Sequence, residues 1–239
     1  YHPYAVNPDV CYPKVDRLRA LIRQYAGRIA IRQGENGISS ATGPGTWDAN
    51  KDADYSERMQ AKWDIRRMLG DLGRDIPTSL FTICDVHYKH VQQIAHFGLL
   101  ATNADQTVHH VKQSYRAMQH ITAIFDDRLR RIPEYPWYVL QRSSHDGLSC
   151  FGYENAAGKQ VVTIWKDDRA PTSADDFDDV DLALPAGGFD QPVYVDVLTG
   201  AVYEIPRERI VRDGSRLLLG SIPVYDSAIL IADRSLIPM

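Results

Sequence analysis

The sequence predicts an α/β half followed by an all-β half. Two observations set this. Up to about residue 133, apolar residues spaced by three and four alternate with short β-branched or continuously apolar runs, the pattern of alternating helices and strands. Beyond it no helical period persists, and short strand-like runs follow one another between turn dipeptides. A chain of 239 residues is long enough for one large domain or two ordinary ones, at about 150 residues per domain. The boundary is therefore placed within "RRIPEYPWY", giving domains over 1–133 and 134–239.

The elements of the first half follow in order. Val15, Leu18, Leu21, Ile22 and Tyr25 predict a helix from Pro13 to about Tyr25, with proline at a first helical position. In "RIAIRQGENGISS", Ile29 and Ile31 alternate with Ala30 and Arg32, which predicts a strand that stops at Gly34. The Gly-Glu-Asn-Gly tetrad can then turn sharply and aim Glu35 into an opening; the plainer alternative is an ordinary exposed acid in a turn. A long polar loop from Ile38 to Asp54 carries one large aromatic, Trp47. Ala61, Ile65, Met68, Leu69 and Leu72 predict a helix from about Tyr55 to Leu72, closing at Gly73. Leu80 to Cys84 reads as a fully buried strand ended by Asp85. Val108, Val111, Tyr115, Met118 and Ile121 predict a further helix ending near Asp127. In α/β folds of this kind chemistry gathers at the carboxyl ends of strands, where Glu35 and Asp85 stand.

The second half reads as an antiparallel sandwich of about a hundred residues. Its expected strands are "WYVLQR", "LSCFGYE", "QVVTIWK", "VDLALP", "PVYVDVLTG", "AVYEIP", "RLLLG" and "AILIAD", with turns at Asp146-Gly147, Gly187-Gly188 and Asp213-Gly214. The acidic run "DDFDDVD" reads as a solvated loop.

Composition narrows the function. Hydrophobic residues make up 44% and charged residues 24%, as in soluble globular proteins, and no run approaches the roughly 18 apolar residues of a membrane span. A net charge of −4 provides no broad basic surface, so neither a membrane nor nucleic acid is expected as partner. Cys11, Cys84 and Cys150 are odd in number and lack metal-ligand spacing, which argues against a disulfide framework. His87, His90 and His96 lie in a loop without a carboxylate triad and read as solvated rather than metal-binding, so no metal or other cofactor is expected. The opening "YHPYAVNPDV" has neither the pattern of a signal peptide nor an initiator methionine, from which the chain is expected to begin partway through a protein. Compartment is left open, with secreted or periplasmic placed ahead of cytoplasmic.

Taken together, "YHPY", "IRQGENG", "AKWDIRRMLGDLG" and "TSLFTICDVHY" resemble strands six to eight, with intervening helix, of a clan A glycoside hydrolase. The resemblance implies the carboxyl-terminal part of a TIM (β/α)8 barrel followed by a β-sandwich, and hydrolysis of O-glycosidic bonds with retention. It implies that Glu35 is the nucleophile and that His2 and Tyr4, the family's His-x-Tyr element, line the sugar subsite and contact it. Two carboxyl groups about 5–5.5 Å apart are needed, one to attack the anomeric carbon and one to protonate the leaving oxygen. The acid/base of the clan usually appears as Asn-Glu, and this chain has no such dipeptide. That residue and the first five strands are thus expected from outside the chain, as a covalent continuation or a second polypeptide, with a carbohydrate as substrate. Gln33 and Asn36 are candidates for sugar hydroxyl contacts, Trp47 for stacking on a sugar ring, and Asp85 for a further substrate contact whose plainer reading is a backbone anchor. The alternative from another class is a non-catalytic carbohydrate-binding or scaffold protein with a degenerate barrel.

Overall fold

The computed structural model describes residues 1–25, 29–47, 55–140 and 147–238. They divide into two compact units, Tyr1–Tyr115 with Ala170–Ser173, and Arg116–Arg169 with Ala174–Met239. Helix and sheet are mixed, every pair of strands is antiparallel, and the described residues form no closed barrel.

The first unit opens with an extended segment, a single 3-10 turn over Pro8–Cys11, and helix α1 (Tyr12–Tyr25). Helix α2 (Glu57–Leu72) starts where the Ser56 hydroxyl accepts from the Met59 amide and ends at Gly73. It is buried almost all round, charged residues included, rather than along one apolar stripe. Two hairpins follow: β1 (Val86–Tyr88) with β2 (Gln93–Ala95), and β3 (Leu100–Thr102) with β4 (Val108–Val111). Helix α3 (Gln113–Ile124) spans the division between the units.

Three extended segments carry the site. Tyr1 donates its amino nitrogen to the Arg32 carbonyl at 2.9 Å and accepts from the Gly34 amide at 3.1 Å. One residue bonded to both neighbours of its opposite number is the parallel pattern. The Gln33 amide donates to Pro77 at 2.9 Å and the Phe81 amide to Asn36 at 2.6 Å, so this second pairing also advances in one direction. Residues 1–4, 31–37 and 77–81 therefore lie side by side and run the same way.

Three expectations for this half are corrected. Gly34–Gly37 forms no sharp turn, because ladder bonds on both sides hold it extended. Leu80–Cys84 is not a buried strand: after Phe81 the chain leaves Asn36 and bonds to residues 97–100, which turns Ile83 outward at 67% exposure. Val108–Val111 is strand β4, not the start of a helix, so His109 and His110 stand on a hairpin; Val108 and Val111 are exposed, and their helical spacing was coincidental.

The second unit is two antiparallel sheets. Its strands are β5 (Arg130–Ile132), β6 (Tyr138–Val139), β7 (Leu148–Glu154), β8 (Gln160–Lys166), β9 (Phe177–Pro185), β10 (Pro192–Asp196), β11 (Ala201–Glu204), β12 (Ile210–Asp213), β13 (Arg216–Tyr225) and β14 (Ile229–Asp233). Six pair in the order β11-β10-β14-β8-β7-β5 and four in the order β12-β13-β9-β6. Side chains from both sheets, among them Val162, Ile164, Leu182, Leu219 and Ile231, make one apolar core. The acidic run is not a solvated loop: Phe177 begins β9, and Asp176 and Asp178 sit 3.0 and 3.3 Å from the buried Lys166 ammonium. Gln141–Asp146, including the Asp of the first expected turn, lies outside the described residues.

Candidate functional site

Glu35 stands on the middle of the three same-direction segments, and the first segment supplies its partner. The Tyr4 hydroxyl donates to Glu35 Oε1 at 2.5 Å. His2 Nδ1 lies 3.7 Å from Oε2, beyond hydrogen-bonding distance. The Glu35 side chain is 38% exposed and so partly open to water. Burial, and after it the hydrogen bond to Glu35, push the Tyr4 phenol well above its ordinary range, so that Tyr4 stays protonated and remains a donor at neutral pH. Oε1 is held by Tyr4, and Oε2 is the oxygen nearer His2.

The glycines on either side serve the protein's own packing. A methyl group on Gly34 would lie 3.1 Å from the His2 ring, and one on Gly37 would lie 2.3 Å from the Phe81 carbonyl oxygen and 2.8 Å from the Phe97 ring. Neither glycine takes up a left-handed backbone. Close approach between adjacent segments, not a turn, explains both.

Gln33 and Asn36 are fully buried and stitch the second segment to the third. Gln33 Oε1 accepts from the Thr78 hydroxyl at 2.5 Å and the Ser79 amide at 2.8 Å, and Asn36 Nδ2 donates to the Ser79 carbonyl at 3.0 Å. Asp85 does not join Glu35. Its carboxylate accepts from Lys112 Nζ at 2.7 Å and from the Gly98 amide at 2.9 Å, with His96 Nδ1 at 3.4 Å. Lys112 is itself buried and donates further to the Ser40 hydroxyl and the His96 carbonyl. Asp85 is thus the anchor of a loop junction, which was its plainer reading. The three histidines do not converge either: His87 bonds Thr102, His90 lies edge-on to Tyr88, and His96 faces Asp85.

Sequence reasoning missed Phe97. Its buried ring lies edge-on to Tyr4 at 6.2 Å and to Phe81 at 6.1 Å, and at 5.8 Å from Trp47. It therefore joins all three segments of the site to the Trp47 loop. Nothing around "AHFGLL" marks it out as more than another core phenylalanine. Trp63 packs beneath the site at zero exposure and donates its indole N–H to the Ala5 carbonyl at 2.9 Å.

No protein-family model matches the chain, and no curated protein matches it. Among solved structures, the GH51 arabinofuranosidase from Xanthomonas axonopodis pv. citri superposes with a TM-score of 0.54 at 11% identity. The match covers 93% of this chain and 45% of that one, so the chain spans less than half the length of its structural neighbour. The fold of this chain is thus similar to part of a clan A glycoside hydrolase.

Proposed function

We propose that this chain is the carboxyl-terminal portion of a retaining glycoside hydrolase, with Glu35 as nucleophile. In this reading residues 1–133 belong to a (β/α)8 barrel, the first three extended segments being its strands six to eight, and 134–239 form an accessory sandwich. The observation that carries it is the Tyr4–Glu35 hydrogen bond across two segments running in the same direction. A hydroxyl donor favours the ionised carboxylate, as a nucleophile at neutral pH requires, and Oε2 is the oxygen left to attack the anomeric carbon. The leaving oxygen takes its proton from an acid contributed by the rest of the barrel, and water then hydrolyses the glycosyl ester formed on Glu35. The rest of the barrel also covers the open outer edge of the Tyr1–Tyr4 segment. Trp47 serves as a sugar platform. The likeness to part of an arabinofuranosidase supports a carbohydrate substrate, with arabinofuranosides the first to try.

The test is covalent labelling. With the upstream barrel present, a mechanism-based 2-deoxy-2-fluoro glycoside is expected to add one glycosyl mass to a peptide containing Glu35. Glu35→Gln should abolish labelling and lower turnover of an aryl glycoside by at least about 10²–10⁴-fold. Full turnover by Glu35→Gln, or label on another carboxylate, overturns the assignment.

A further inference from the structure

Two ladders flank the residue that carries the carboxylate without holding it. The Gly34 amide donates to the Tyr1 carbonyl at 3.1 Å and the Asn36 carbonyl accepts from the Phe81 amide at 2.6 Å, but no backbone hydrogen bond to residue 35 is found among the described residues. Apart from the Tyr4 bond to its carboxylate, the place of Glu35 is set by what fixes its neighbours. Side chains do much of this. Gln33 and Asn36 both have zero exposure, and both turn to the same two residues of the third segment. Ser79 contributes backbone groups, its amide to Gln33 Oε1 at 2.8 Å and its carbonyl to Asn36 Nδ2 at 3.0 Å. Thr78 contributes its hydroxyl, which donates to Gln33 Oε1 at 2.5 Å and stands 3.4 Å from Asn36 Nδ2 as an acceptor. A hydroxyl can donate and accept at once, so this one group ties together the side chains on both sides of Glu35.

We propose that Thr78 is a positioning residue for Glu35: its hydroxyl clamps Gln33 and Asn36, and through them keeps the carboxylate against Tyr4 and in line with the anomeric carbon. This rests on the glycosidase reading above and adds to it a group that acts only through its neighbours. Attack needs the reacting atoms within a narrow range of distance and angle, and a displacement of about 1 Å slows it on the order of 10²-fold. Loosening the clamp therefore slows the attack and leaves the sugar's own contacts in place.

The experiment follows the rate of labelling. With the upstream barrel present, and at a temperature where circular dichroism shows each variant folded, the 2-deoxy-2-fluoro glycoside gives a rate constant at saturation and a half-saturating concentration. Thr78→Val keeps the shape and removes the hydroxyl; it is expected to lower the rate constant about 10- to 100-fold and to move the half-saturating concentration by less than about 3-fold. Thr78→Ser, which keeps the hydroxyl, should stay within about 3-fold of the wild-type rate. Gln33→Met removes the acceptor at the other end. Adding Thr78→Val to it should slow labelling by no more than about 2-fold further, because the two changes break the same bond. A rate unmoved by Thr78→Val, a loss that Thr78→Ser shares, a loss confined to the half-saturating concentration, or fully additive losses in the double variant overturns the clamp. Failure of both Thr78→Val and Gln33→Met to fold overturns it as well, since the bond would then hold the fold and not the carboxylate. Any of these results with the wild type labelled on Glu35 leaves the glycosidase reading standing, whereas a wild type that takes no label sinks that reading and the clamp with it.

Discussion

The two units keep themselves folded by opposite means. In the sandwich, buried side chains between the sheets are almost all hydrocarbon, and the buried charged groups Lys166 and Asp233 sit at strand ends. In the first unit, Gln60, Lys62, Asp64, Arg66, Arg67, Asp71, Asp85 and Lys112 are all at or below 7% exposure. Arg66 meets Asp9, Arg67 hydrogen-bonds the Cys11 thiol at 2.8 Å and stacks over Tyr12 and Trp63, and Lys112 meets Asp85. The comparison teaches where precision comes from. Apolar contact tolerates small errors of position, whereas a buried charge is stable only against one partner at one distance, so the unit that holds Glu35 is the one fixed by specific pairs.

The largest effect that could break this contrast is at Lys112. Lys112→Met removes the ammonium partner of the buried Asp85 carboxylate, leaving only the Gly98 amide and His96 against it, and is expected to cost about 3–5 kcal/mol in urea unfolding, with hydrogen exchange rising first within residues 1–115. A cost under about 1 kcal/mol would show that these charges are bystanders. In the sandwich the matching change is Ile164→Ala, a cavity in an apolar core, expected at about 2–5 kcal/mol with exchange rising within residues 116–169 and 174–238. Gly37→Ala comes next, at about 1–3 kcal/mol, because its methyl meets the Phe81 carbonyl and the Phe97 ring; under the proposed function it should also slow turnover of the assembled enzyme by shifting Glu35 against Tyr4. An unchanged unfolding midpoint for Gly37→Ala would mean that the segments are looser than described.

The finest effect is on pH. Burial alone would raise the Asp85 carboxyl, but hydrogen bonds from His96, Lys112 and the Gly98 amide hold it below its usual range. A carboxyl lowered on folding stabilises above its unfolded value near 3.9 and loses that contribution as the pH falls through the lowered one. Burial raises Asp64 and Asp71, which act in reverse, stabilising in acid and losing that contribution as the pH rises. The difference in unfolding free energy between the wild type and Asp85→Asn should therefore close as the pH falls below about 4, and a difference constant from pH 7 to 2 would refute the pairing.

The same contrast governs what could be read from the residues. Strands β7 and β8 coincide with "LSCFGYE" and "QVVTIWK", because each is a short run rich in apolar, β-branched or aromatic residues between turn residues. Strand β5, three residues in "RRI" at the edge of its sheet, is too short to show a period. In the first unit, Glu35, His2 and Tyr4 were legible as short motifs, and the structure sets them together. The Asp85–Lys112 pair, 27 residues apart, and the place of Phe97 were not, since a tertiary contact leaves no local trace. Gln33 and Asn36 were singled out beside Glu35, under the resemblance, as candidates for sugar hydroxyl contacts; in the structure both hydrogen-bond the third segment, a tertiary pairing that the residues themselves do not show.

The first ladder bond has a practical consequence. Tyr1 reaches the Arg32 carbonyl through its backbone nitrogen, an atom that remains a donor whether it is a terminal ammonium or an ordinary peptide N–H. The alignment of the first two segments therefore does not depend on a charge at that nitrogen: a peptide N–H in the same place makes the same bond and keeps Tyr4 in reach of Glu35.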